Sequence, residues 1–293
     1  MLRALLLGLL LCSTAHAERA RFHLVRDRMV AHLSKGAQQS ERAVVRFPHA
    51  TGFVVAADRN QPRRILVITN FHVAGNGPAT DAPLEFRDGT TARPLRTVAA
   101  SPELDYAVVE AELVSGPRRD GVEPLELDRG ARPLAPGRRI YALGAHTGLG
   151  RNELDWTPAG RTIAGGRSMQ DRVAQTIADD VTRGADPTGF RTIALGTVLQ
   201  RSTTPVQIST AGGRVLGVES DLPNSPGMSG APVLHRATHK VVGLHFGGFG
   251  PVMERWTESA VPTDLLLRDL AHKLERGQVH GSDDLVKQLV HGT

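Results

Sequence analysis

From Arg42 onward the chain breaks into short runs of β-branched and aromatic residues, each closed by turn formers. Ala43-Val44-Val45-Arg46-Phe47, Thr51-Gly52-Phe53-Val54-Val55 and Ile65-Leu66-Val67-Ile68-Thr69 come first, and Asp58-Arg59-Asn60-Gln61-Pro62 supplies the turn between the last two. Such runs suit pleated, half-buried strands. Further strands are expected at Leu84-Glu85-Phe86, Leu95 to Val98 and Tyr106 to Glu110. A second set follows at Arg139 to Gly144, Ile193 to Gln200, Val206 to Ser209, Val215 to Glu219, Ala231 to Leu234 and Val241 to Phe246. The pattern predicts an all-β chain in two parts, residues 41–128 and 129–262, with Pro133-Leu134-Ala135-Pro136-Gly137 at the crossing. Residues 150–190 are polar, with Gly, Asp and Arg throughout, and read as loops inserted in the second part. Helices are expected only at the ends. Phe22, Val25, Met29 and Leu33 have the spacing of an amphipathic helix over 20–39. Thr263 is expected to cap a helix through Leu266, Leu270 and Leu274, stopped near Gly277, with a shorter one after Ser282 in a tail over 263–293.

The first residues have an address rather than a fold. Met1-Leu2-Arg3 is a short basic end, Ala4 to Leu11 an apolar run, and Ala15-His16-Ala17 a cleavage site. This is the form of a secretory signal peptide over 1–17. The apolar run is short for a membrane span, so no stable membrane insertion is expected once it is removed. Residues 18–40 are then either an N-terminal helical segment or a propeptide. Cys12 is the only cysteine, so the mature chain would hold no disulfide and no thiol nucleophile or ligand. A secreted chain of this kind must be held by its core. The formal charge of +5 comes from arginines mixed with acids along the chain, and only 4% of residues are aromatic. A nucleic-acid surface would concentrate its basic residues in a stripe with aromatics, so no nucleic acid is expected.

Three segments carry chemistry. Pro226-Gly227-Met228-Ser229-Gly230-Ala231-Pro232-Val233 sets a serine in a tight turn that runs into a strand. Thr69-Asn70-Phe71-His72-Val73 ends a strand at a histidine, and Leu104-Asp105-Tyr106-Ala107-Val108 opens one with an aspartate. A serine hydroxyl attacks a carbonyl only when a base and backbone donors stand beside it, and these segments provide the residue types. Their order, His72, Asp105, Ser229, is reversed from the serine-first order of α/β-hydrolases. That argues against an esterase of that fold.

Taken together the segments resemble the chymotrypsin-like, or trypsin-like, serine proteases over roughly residues 41–275. The resemblance implies two antiparallel β-barrels with the site in the cleft between them; the N- and C-terminal helices read from apolar spacing and capping complete the expected fold. It implies His72 as general base, Asp105 as its partner and Ser229 as the nucleophile of an acyl-enzyme. The N–H groups of Gly227 and Ser229 would form the oxyanion hole. Val242-Gly243-Leu244-His245-Phe246-Gly247-Gly248 is similar to a segment of the bacterial glutamyl endopeptidases, the V8-like branch. This implies substrate-binding roles for His245, Phe246, Gly247 and Gly248, and a preference for acidic P1 side chains helped by Asn224. Asn224 departs from the threonine usual in that branch. Met228 stands where trypsin-like zymogens carry an aspartate, so activation through a new N-terminal ion pair is not expected.

His235 and His239 lie four apart, but a turn rather than a helix is expected there, and the Glu of a zinc-protease helix is missing. No metal and no cofactor are expected. The reading is a secreted or periplasmic bacterial serine endopeptidase acting on protein or peptide substrates. Its rival is a noncatalytic secreted binding or adhesion protein on the same fold.

Overall fold

A computed structural model describes residues 21–25, 34–48, 50–75, 82–118, 120–130, 134–145, 191–201, 206–208, 213–215, 217–220, 222, 227–252 and 255–292. The first barrel comprises β2 (Val44–Phe47), β3 (Ala50–Ala57), β4 (Arg64–Thr69), β5 (Leu84–Phe86), β6 (Thr91–Ser101) and β7 (Tyr106–Ser115). They close in the order β2-β3-β4-β7-β6-β5. β3 and β4 are buried along nearly their whole length. Their near-continuous apolar sequence follows from this, because one face fills the barrel and the other is covered. Val44, Phe47, Phe53, Ile65, Ile68, Val108 and Leu113 share its core. Each such side chain contributes roughly 1.5–3 kcal/mol through burial.

The second barrel is built from β8 (Arg139–Ala145), β9 (Arg191–Arg201), β12 (Val218–Ser220), β13 (Pro232–His235), β14 (Val241–Val252) and β15 (Arg255–Pro262). It closes through the pairing of β8 with β9. A two-stranded ribbon, β10 (Val206–Ile208) with β11 (Gly213–Val215), stands apart from it. The barrels are the all-β, chymotrypsin-like architecture expected. An isolated parallel bridge between Leu127 and Val241 stitches the connecting segment to the second barrel.

Helix α1 (Lys35–Arg42) is capped by Ser34, whose Oγ accepts from Ala37 N at 3.3 Å. It spans the barrels. Glu41 meets Arg87 of the first at 3.4 Å, while Ser40 receives a 3.3 Å bond from Tyr141 of β8, whose hydroxyl also sits 2.8 Å from His239 Nδ1. The expected helix over 20–39 is therefore corrected. Its described first part is a strand, β1 (Arg21–Val25), paired antiparallel with β9 from Leu195 back to Arg191. Phe22 and Leu24 also alternate with period 2, and an available sheet edge decides for that period. The following helix, four-residue α2 (Phe71–Ala74), carries His72.

Helices α3 (Thr263–Glu275) and α4 (Asp283–His291) end the chain. Thr263 is the first residue of α3 rather than its cap, and its hydroxyl donates to Asp128 O at 3.1 Å. Leu266, Leu270, Leu285, Val286 and Leu289 join the first core. A buried carboxylate anchors this tail. Glu110 of β7 is held by Arg64 and by Arg96 at 2.6 Å, and Arg64 reaches Ser282 at 3.2 Å. Burial pushes its pKa up, but the bonds from Arg64, Ser282 and Arg96 outweigh that, and the carboxyl lies below its ordinary range. β14 runs six residues beyond its expected end, and β15 was not anticipated. Residues 150–190 and 224 lie outside the described residues.

Candidate active site

The end of β4 and the start of β7 run side by side, with Thr69 opposite Ala107 in the ladder. This register brings His72, three residues past the end of β4 and within α2, against Asp105, the residue just before β7. His72 Nδ1 lies 2.8 Å from Asp105 Oδ2, and the backbone N–H of His72 donates to Asp105 Oδ1 at 2.9 Å. Asp105 is fully buried, whereas the His72 side chain keeps 32% exposure. A buried carboxylate at Nδ1 draws the ring proton to that nitrogen. Nε2 is then the basic nitrogen. Asp105 itself has φ of +49°, a left-handed conformation that aspartate tolerates better than most residues.

The serine turn is fastened to the same strand ends. Thr51 N donates to Ser229 O at 2.8 Å, and Thr51 Oγ1 donates to Gly227 O at 2.6 Å. Thr69 Oγ1 in turn donates to Thr51 O at 2.6 Å. A short relay of hydrogen bonds therefore connects the turn at 227–229 to the strand end that precedes His72. Ala231 N donates to Met228 O at 2.9 Å. All three successive carbonyls of the turn are thus occupied. Among the described residues, no carbonyl accepts from the N–H of Gly227 or Ser229. Gly227 and Gly230 have φ of +93° and +83°, as a turn this sharp requires. At Gly230 a Cβ would fall 2.0 Å from Thr51 O, so the close approach also demands glycine.

On the other side, Gly230 N donates to His245 O at 2.9 Å, and His245 N to Ala231 O at 2.9 Å. This ladder places β14 beside the serine turn. His245 is buried, and burial pushes its pKa down to about 4. The ring is therefore neutral at neutral pH. Phe246 is buried, and the pairing with β15 skips a residue between His245 and Gly247, with Gly248 opposite Glu258. Met228 packs among Val198, Val233 and Val242 in the second core, an apolar anchor where an acid would need a partner. His235 ends β13 and bonds Thr238 in the turn that follows, while His239 lies just before β14 and bonds Tyr141.

Sequence reasoning assigned no role to Thr51, Thr69 or Asn70. Thr51 and Thr69 read as ordinary β-branched strand residues, and only the pairing of β3 with the serine turn gives their hydroxyls work.

A profile of the trypsin-like peptidase domain matches residues 50–244. The chain belongs to that family. Among solved structures, the inactive form of the Rv3671c protease is similar at 17% identity, covering 84% of this chain and 96% of that one, with a TM-score of 0.52. A serine-to-alanine mutant of Rv3671c from M. tuberculosis H37Rv, also in the inactive form, is similar at 16% identity, covering 86% and 96%, with a TM-score of 0.51. At these identities the likeness is one of fold. Comparison with curated proteins gives no match. No helix among the described residues is long and apolar enough to cross a membrane.

Proposed function

We propose that this chain is a serine endopeptidase that hydrolyses peptide bonds through His72, Asp105 and Ser229. The observation that carries the reading is the His72–Asp105 pair, with the Ser229 turn tied through Thr51 to the same strand end. His72 Nε2 takes the hydroxyl proton as Ser229 Oγ attacks the scissile carbonyl. The carbonyl becomes an oxyanion, which the N–H groups of Gly227 and Ser229 receive. His72 then gives the proton to the leaving amine. Water, activated by the same histidine, releases the acyl group and restores the serine. Asp105 stabilises the imidazolium in both halves.

The chain acts outside the cytoplasm, in the periplasm or beyond, after loss of residues 1–17. The Gly-Leu-His-Phe-Gly-Gly segment supports a place in the V8-like branch and a preference for acidic P1. A buried carboxylate needs donors, and a neutral His245 ring, with Asn224, would supply hydrogen bonds rather than charge. The burial of His245 favours a second reading of that residue alone, in which it packs behind the pocket wall and leaves P1 preference broad.

A peptide library with Glu, Asp, Ala and Leu at P1, cleaved by wild type, Ser229→Ala and His245→Ala, tests the whole. Ser229→Ala should lower kcat by on the order of 10⁴-fold or more and abolish fluorophosphonate labelling, with the fold retained. Near-normal turnover by that variant would refute the triad. An acidic preference that survives His245→Ala would refute the specificity role.

A further inference from the structure

We propose that Asn70 is a positioning residue for Asp105, holding the aspartate in the backbone conformation from which its carboxylate grips His72. The assignment rests on the serine-protease reading above. Asn70 is fully buried between β4 and α2. Its Nδ2 donates to the backbone carbonyl of Asp105 at 2.9 Å. Its Oδ1 is buried and has no hydrogen-bond partner.

The ordinary role of an asparagine here would be to cap α2. Asn70 is the N-cap residue, but its side chain makes no capping bond. Its backbone carbonyl takes the N–H groups of Val73 and Ala74, both at 3.2 Å. The N–H of His72, which a capping side chain would take, goes to Asp105 Oδ1 instead. Two bonds thus cross the same gap, both donated to Asp105: the His72 N–H to its carboxylate and the Asn70 amide to its backbone carbonyl.

Packing does not explain the residue either. A leucine of similar size would fill the buried site and remove the unpaired Oδ1, but it would leave the Asp105 carbonyl without its amide donor. The amide has its single hydrogen bond at Asp105, the one non-glycine residue among the described residues of the site with a positive φ, +49°. That conformation persists only where surroundings over-determine it. On the backbone, Asn70 holds the carbonyl and Pro102 O takes the N–H at 3.4 Å, beside the carboxylate's own bonds to His72. Releasing one lets the peptide rotate and carries the carboxylate off the ring.

The test is a double-mutant cycle of Asn70→Leu and Asp105→Asn, with kcat and KM measured on a cleaved peptide. In parallel, the ring N–H proton of His72 is observed by NMR in a Ser229→Ala background. Asn70→Leu should lower kcat by on the order of 10- to 100-fold, as small misplacements of a reacting group do. KM should stay nearly constant, and the hydrogen-bonded ring proton should broaden or vanish. In the Asp105→Asn background the same substitution should cost no more than about 2-fold, the scatter within which a coupling is resolved. Equal losses in both backgrounds, or an unchanged kcat and ring proton, overturn the proposal. If Asn70→Leu does not fold, Asn70→Ala provides the same comparison. Wild type inert toward peptides, with a ring proton that still depends on Asn70, would refute the protease reading and sustain the positioning role.

Discussion

Acid should destabilise this protein in part through His245. The ring is 1% exposed and has its pKa pushed by burial from 6.5 to about 4. As pH falls through 6.5 the unfolded chain takes a proton on its free imidazole. The folded chain refuses one until about 4. Across that window the unfolded state binds more protons, so stability rises with pH. The contribution is fully present above pH 6.5 and is lost as pH falls to about 4. At roughly 1.4 kcal/mol per pH unit, the loss from this one residue is about 3 kcal/mol, a large share of a typical domain's stability. His245→Asn keeps a polar side chain in the site but does not titrate. Urea unfolding of both proteins, followed by circular dichroism from pH 8 to 4.5, isolates the effect. The wild type's stability relative to the variant should decline by about 2–3 kcal/mol over that range. A difference that stays constant with pH would refute the argument. It would mean that the ring accepts a proton in the folded state as readily as in water.

Two further outcomes follow from close contacts. Gly230→Ala should lower stability by about 3 kcal/mol, through overpacking against Thr51 O and a left-handed backbone. It should also depress kcat, because the turn bearing Ser229 must shift; thermal unfolding together with peptide hydrolysis checks both. Glu110→Ala should lower stability by about 2 kcal/mol, less than for charges buried on both sides, because Arg64 and Arg96 keep contact with water. Hydrogen exchange should then quicken in Asp283–His291, the helix whose start Arg64 tethers through Ser282.

The all-β class was legible in the sequence because most strands announce themselves locally, by β-branched runs between turn residues. The proposed triad of His72, Asp105 and Ser229 could be picked out of the sequence for a different reason. Chemistry fixes the residue type at each position, and each lies in a short segment that marks a strand end or turn. The N-terminal segment was not legible in this way. Phe22, Leu24 and Val25 satisfy both a helical and an alternating period, and the free edge of β9 chose the strand. Nor could the sequence show that His245 is sealed from solvent, since burial is a property of what packs over a strand. Tertiary structure alone decided the roles of Thr51, Thr69 and Asn70. Their partners lie in Gly227, in Thr51 itself and in Asp105, and no local pattern records a hydrogen bond made across barrels or between distant strand ends.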